Sequence, residues 1–289
     1  MFVVLAHADD RSALRVYAAL VRRHGSATVA LVSADALALA PLWEHRLWDG
    51  DDGDVRSLIE LPDGRGLDDA AIGVVLNRLR RMDAPHFARA IQADREYAAA
   101  ELYGLALSWL ASLRVPVVNP VGTRALFGPE RSPVEWSVAL AGAGLVPRGM
   151  AMRASARDGR PARRPDDWWA CEVAPESINS LVPADAPTPA SLLGRRPAIY
   201  VEPIAAPAGR ALVAGDRVLG DAPREAQGGS LHLARRVGCE LLEVAFGWTP
   251  AGELRAMTAT VCPGLYGEAE VAAVADLLEV RRVRPPPAP

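Results

Sequence analysis

The sequence predicts an α/β protein: a doubly wound N-terminal α/β domain followed by two strand-rich α+β pieces. Three observations carry this. Short continuous apolar runs, FVVLA from Phe2, TVALVS from Thr28 and IGVVLN from Ile72, have the pattern of parallel strands buried on both faces. Between the first two lies a stretch with Leu14, Tyr17, Ala18 and Val21 at helical spacing and arginines on the other face. After Pro147 the pattern changes to closely spaced strands interrupted by few helices.

Taken in order, Phe2 to Ala6 is the first strand, and Asp9 or Asp10 offers an N-cap to the helix that follows. Gly25 stands where a helix ends, and Thr28 to Ser33 is the second strand. Trp43 to Gly66, rich in Asp, Gly and Trp, reads as loops around one short strand, Ser57 to Leu61. A long helical stretch, Pro85 to Leu113, leads to a strand at Val115 to Val118 and then Asn119-Pro120. Arg131 to Ala143 is a helix with Pro133 in its first turn. Strands follow at Gly149–Ser155, Trp168–Val173, Ala198–Ile204, Gly209–Val213 and Arg217–Gly220. A helix over Glu225–Val237, strands over Glu240–Phe246 and Glu253–Val261, and a helix over Gly267–Leu278 complete the chain. The expected divisions are 1–122, 123–195 and 196–280, with a disordered tail at 281–289 (RRVRPPPAP).

Composition narrows the chemistry. Half of the 289 residues are apolar, enough for one large core or several small ones, and the net charge of −3 points to neither nucleic acid nor an anionic membrane. The start, MFVVLAHADDRS, is not read as a signal peptide, and no apolar stretch is long enough to cross a bilayer. Three scattered cysteines, Cys171, Cys239 and Cys262, read as reduced thiols in a cytoplasm. All 32 basic Lys/Arg positions are arginine. A lysine-free chain has no Schiff-base lysine, lysine base or P-loop lysine, and arginine replaces lysine only as a fixed cation of different geometry.

The order of elements resembles the ATP-grasp superfamily, most closely its peptide-maturing branch that makes graspetide-type side-chain lactones and lactams. The resemblance covers about residues 1–280. It rests on FVVLAHADDRSALRVYAALVRRHG, IGVVLNRLRR, YAAAELYGLALSWLASLRVPVVNPVG and PVEWSVALAGAGLVP. YVEPIA with GRALVAGDRVLG, and LARRVGCELLEVAF with ELRAMTATVCPGL, complete it. The resemblance implies an ATP-grasp-like fold in which two α+β grasp subdomains clasp ATP and magnesium, and a homodimer.

The family's functional residues carry over incompletely. Where the family has a lysine before the "a-GL-vP" helix, this chain has Glu130-Arg131-Ser132-Pro133, so Arg131 is the nearby cation. The strand that bears the second family lysine reads Trp168-Trp169-Ala170-Cys171-Glu172-Val173. Arg210 matches the arginine before "vvGd", and Glu240 or Glu243 supplies the family's first metal-binding acid. The last strand, Met257 to Cys262, lacks the family's Glu-x-Asn; Thr260 and Cys262 are poor magnesium ligands. The resemblance therefore implies a degenerate ATP-grasp protein, a pseudoenzyme that binds or scaffolds in peptide or natural-product modification beside a peptide or protein partner. The alternative is an active carboxylate-amine or carboxylate-alcohol ligase, using ATP and magnesium in a site rebuilt from Arg131, Arg210, Glu240 and Glu243.

Three other features invite attention. His7-Ala8-Asp9-Asp10 is similar to the AHPDD metal motif of zinc-dependent deacetylases, which would make a metal-dependent hydrolase. Arg11 stands where that motif has glutamate, and no HxxH pair follows, so helix capping is favoured. A loop after the first strand of an open sheet is also a common ligand site without any metal. Trp43, Trp48, Trp168 and Trp169 fall outside the periodic segments and suit either an interface or the packing of domain edges. Arg157, Arg160, Arg163 and Arg164 form a basic stretch that reads as a solvated loop.

Overall fold

The computed structural model describes residues 1–47, 55–122, 125–153, 169–173, 181–183 and 198–283; residues 47, 152, 153, 169–173, 181–183, 198 and 199 are described by backbone alone. Trp48, Trp168, the 157–164 arginines and residues 284–289 lie outside the described residues, as does the side chain of Trp169. The chain forms two compact units, residues 1–130 with 239–241 and 261–289, and residues 131–238 with 242–260.

The first unit begins with β1 (Phe2–Ala6), α1 (Arg11–His24), β2 (Val29–Ser33) and α2 (Ala34–Ala38). Asp10 is the N-cap of α1, accepting from the Ala13 amide at 3.0 Å, and Gly25 ends the helix at φ 79°. Next come β3 (Leu42–Leu47), β4 (Val55–Glu60), β5 (Gly66–Asp68), β6 (Val74–Asn77), α3 (Gln92–Ser112) and β7 (Val117–Val118). Strands β2-β1-β6-β7 form one sheet in that order, parallel throughout. Every residue of β1 and β6 is buried, as their uninterrupted apolar runs require. Val3, Leu5 and Val75 pack with Trp109 and Leu110 of α3, whereas Phe2 stacks on His24 of α1 at 4.9 Å between ring centroids.

The Trp43–Gly66 segment departs from its expected loops. It supplies most of an antiparallel sheet ordered β3-β4-β5. Trp43 and His45 pair with Ile59 and Ser57, on the opposite face from Leu42, Glu44 and Arg46. Trp43 meets Trp109 edge-on at 5.7 Å and packs against the core. His45 is held between Ser57 Oγ at 2.8 Å and Ser108 Oγ at 2.9 Å, which fastens β3 to α3.

The second unit opens with α4 (Pro133–Gly142). Ser132 and Glu135 form a reciprocal capping box around its first turn, with Pro133 inside it. Then β8 (Met150–Arg153), β9 (Trp169–Val173), β10 (Leu181–Pro183) and β11 (Ala198–Val201) form an antiparallel sheet ordered β10-β9-β11-β8. The other sheet, ordered β13-β12-β14-β15, comprises β12 (Ala206–Ala214), β13 (Arg217–Gly220), β14 (Leu241–Trp248) and β15 (Leu254–Thr260). Helix α5 (Arg224–Val237) runs between β13 and β14 and ends at Gly238, φ 72°. Gly229 of α5 meets Leu145 so closely that a Cβ would stand 2.5 Å from Leu145 Cδ2. The final helix, α6 (Glu268–Arg281), belongs to the first unit, where it packs on α1. Arg281 is therefore helical, and Arg282 lies over Phe2 at 4.6 Å.

Candidate functional site

The β12–β15 sheet of the second unit carries the polar residues with the strongest claim to chemistry. Arg210 on β12 donates from a guanidinium nitrogen to Glu243 Oε2 on β14 at 2.6 Å, and both side chains are less than one-fifth exposed. Glu243 is the direct cross-strand neighbour of Thr260 on β15, so the two share a face. The backbone of Arg210 is fixed as well: its amide donates to Asp221 Oδ1 at 2.8 Å, and its carbonyl accepts from Ala222. Hydrogen bonding from that amide holds the Asp221 carboxyl below its usual range. The chain can approach this closely because Gly209 and Gly220 both have positive φ; a Cβ on Gly220 would lie 2.1 Å from the Arg210 carbonyl.

The structure thus brings together two of the four predicted site residues. Glu240 is engaged elsewhere: Arg281 of α6 donates to its carboxylate at 2.6 Å. Arg131 sits just before α4, its guanidinium 5.9 Å from the Trp136 ring centroid. For a magnesium ion, this sheet face offers the Glu243 carboxylate, already bound to a guanidinium, and the neutral hydroxyls of Thr258 and Thr260. Mg²⁺ favours several hard oxygen ligands, usually carboxylates beside phosphate, so this set fits it poorly. Among the described residues, no three His, Cys, Asp or Glu side chains are grouped to hold a metal ion.

The segment after β1 is used structurally. His7 Nε2 accepts from the backbone amides of Arg80 at 3.1 Å and Arg81 at 3.3 Å. Two amide donors on one ring nitrogen assign the proton to Nδ1. Burial and the nearby Arg80 and Arg81 charges push the His7 pKa down, which favours the same neutral ring. Asp10, besides capping α1, accepts from Arg78 at 2.7 and 3.2 Å in a pair about 5% exposed. Arg78 also donates to the Pro263 carbonyl at 3.0 Å. Burial pushes the Asp10 carboxyl up, but the Arg78 hydrogen bond and charge outweigh it and hold the pKa below its usual range. Asp9 is exposed, 3.7 Å from Arg80. The cap expected of Asp9 or Asp10 is made by Asp10.

Two further networks escape sequence reading. Asn119 is buried, and its amide saturates four backbone groups: the Leu241 and Val261 carbonyls at 2.7 and 3.0 Å, and the Glu240 and Leu241 amides at 3.0 and 2.9 Å. In the second unit, Glu202 Oε2 accepts from the Gly149 amide at 3.0 Å and from Arg255 at 3.1 Å, while Arg148 donates to the Glu202 carbonyl at 2.6 Å. The only sequence signal for the latter is the acid in Tyr-Val-Glu-Pro at a strand end. Cys239 is buried and Cys262 partly buried.

No family model matches the sequence, and no curated protein sequence does either. Solved structures do match. The macrocyclase MdnC from Microcystis aeruginosa, bound with its precursor peptide MdnA, superposes with a TM-score of 0.72 at 14% identity, covering 97% of this chain and 100% of that one. The RiPP-associated ATP-grasp ligase of Chryseobacterium gregarium, in complex with ADP and a leader and core peptide, gives 0.69 at 12% identity over 98% and 97%. The D-alanine-D-alanine ligase of Coxiella burnetii gives 0.55 at 11% over 97% and 95%. This chain therefore has the ATP-grasp fold, along almost its whole length.

Proposed function

We propose that this chain is a degenerate ATP-grasp protein of the peptide-maturing kind, a binding or scaffold subunit in peptide or natural-product modification that works beside a catalytic partner. The observation that carries the reading is the Arg210–Glu243 pair with Thr260 opposite. The candidate acid is neutralised within its own sheet, and its cross-strand neighbour supplies a hydroxyl in place of a second anionic ligand. The lysine-free composition supports it, because phosphoryl transfer rests on cations and metal placed at the transferring phosphate. The peptide partner is inferred from the structural neighbours, several of which are complexes with precursor peptides. The division at residues 122, 195 and 280, a cytoplasmic location and a homodimer remain parts of this proposal. No helix among the described residues is long and apolar enough to cross a membrane.

The test is calorimetric titration with ATP, with and without Mg²⁺. The expected result is no binding at millimolar nucleotide. Micromolar, magnesium-dependent heat would overturn the scaffold reading and install the ligase, with Arg131 and Arg210 as its phosphate-binding cations and Glu243 or Glu240 as its acid.

A further inference from the structure

Strand β3 is an edge of its sheet: among the described residues it pairs with β4 alone, in a register that runs from Leu42 to Leu47 without a shift. Sheet edges are usually guarded by shortness, proline, a bulge or lysine. The other edge of this sheet, β5, is 3 residues long. Strand β3 has 6 residues, LWEHRL, with no proline, in a chain with no lysine to offer. Its charges are one acid and one arginine. Glu44 and Arg46 share the outer face and bond to each other along the strand. Their side chains are 36% and 58% exposed, so the pair exchanges partners at little cost. Across on β4, Arg46 stands directly opposite Arg56, a like charge, and Glu44 opposite Leu58. On that side neither charge faces its complement.

An antiparallel strand on the open side would bond through its backbone, and the side chains would select the register. If that strand is β3 of a second copy, a two-fold axis sets each residue opposite one equally far beyond the axis. Centred on Glu44, the axis opposes two glutamates; centred on Arg46, two arginines; centred on Trp43, Leu42 meets a glutamate. Centred on His45, each Glu44 meets an Arg46 and each Trp43 stands opposite a Leu47. The segment Trp43-Glu44-His45-Arg46-Leu47 is thus complementary to itself read backwards. We propose that β3 pairs antiparallel with β3 of a second copy, centred on His45, so that two sheets become one. This rests on the homodimer within the proposed function and names its seam. Each Glu44 exchanges the Arg46 of its own strand for the partner's Arg46, and both charges gain a cross-strand complement.

Sedimentation velocity of the full chain over a concentration series should show a reversible dimer. E44R and R46E each place two like-charge pairs in the seam, and each should weaken dimerisation about tenfold. In an equal mixture of the two variants, one chain is basic at both positions and the other acidic, so both pairs are restored. The mixture should associate as tightly as the wild type, and so should the double swap E44R/R46E. Recovery of this kind separates lost pairing from lost folding. A monomer at every concentration overturns the seam together with the homodimer. A dimer indifferent to both single variants overturns the seam and leaves the homodimer. Weakening by both variants without recovery in the mixture or the double swap overturns the register centred on His45, and the proposal with it.

Discussion

The two arginine–carboxylate pairs, Arg78–Asp10 in the first unit and Arg210–Glu243 in the second, differ in what surrounds them. Arg78–Asp10 is about 5% exposed, and it also bonds the Ala13 amide and the Pro263 carbonyl. Arg210–Glu243 is 17–19% exposed and lies on a sheet face beside Thr260. The first pair is enclosed by backbone that it also organises, so its role is architectural. The second keeps partial contact with solvent on the sheet face to which the proposed function assigns metal and nucleotide, so under that proposal it bears on function. Identical ion-pair chemistry thus has opposite meaning according to desolvation.

Breaking the enclosed pair should have the largest effect. R78A leaves a buried carboxylate uncompensated and should lower unfolding free energy by about 3–5 kcal/mol in urea titrations at neutral pH. The pH dependence sharpens this. In the wild type the folded Asp10 pKa is depressed, so its contribution is present above the ordinary carboxylate range and is lost as pH falls through it. The R78A deficit should therefore shrink in acid, where a protonated Asp10 no longer needs the guanidinium. N119A should follow, at roughly 2–3 kcal/mol, because it strands several buried backbone groups at once; guanidinium unfolding checks it. R210A should cost less than R78A, about 1–2 kcal/mol, since the pair it removes is only partly buried. A loss as large as that of R78A would abolish the contrast between the two pairs. The smallest effect concerns Cys262, whose thiol is pushed up by burial. Iodoacetamide at neutral pH, followed by peptide mass spectrometry, should label it more slowly than the same cysteine in urea.

The doubly wound sheet was legible because Phe2–Ala6 and Val74–Leu76 are unbroken apolar runs, and the α1 cap, as Asp9 or Asp10, because both precede a clear helical period. Strand β3 was not, because its inward positions include His45, a polar residue satisfied by Ser57 and Ser108, while Leu42 stands on the outer face. Hydrophobic alternation is thereby broken at the first position of the strand and at its middle. The resemblance supplied Arg210 and Glu243 as candidates but not their union, since residues 33 apart in sequence carry no spacing signal for an ion pair. Glu240 and Glu243 are equal candidates by sequence, and each has an arginine partner, Arg281 and Arg210. The networks of Asn119 and Glu202 join positions far apart along the chain through backbone groups, which have no sequence signature.

The last helix completes the first unit. Arg15 of α1 donates to the carbonyls of Leu265 and Tyr266, Ser12 accepts from the Leu265 amide, and Arg23 bonds Asp276 and Glu279. During synthesis these partners leave the ribosome more than two hundred residues after α1, with the second unit translated in between. The unit that begins first therefore closes last. At translation rates of roughly 5–20 residues per second, α1 waits on the order of ten seconds or more with its α6-facing surface uncovered. Nascent chains arrested before residue 261 should expose that surface to chaperones.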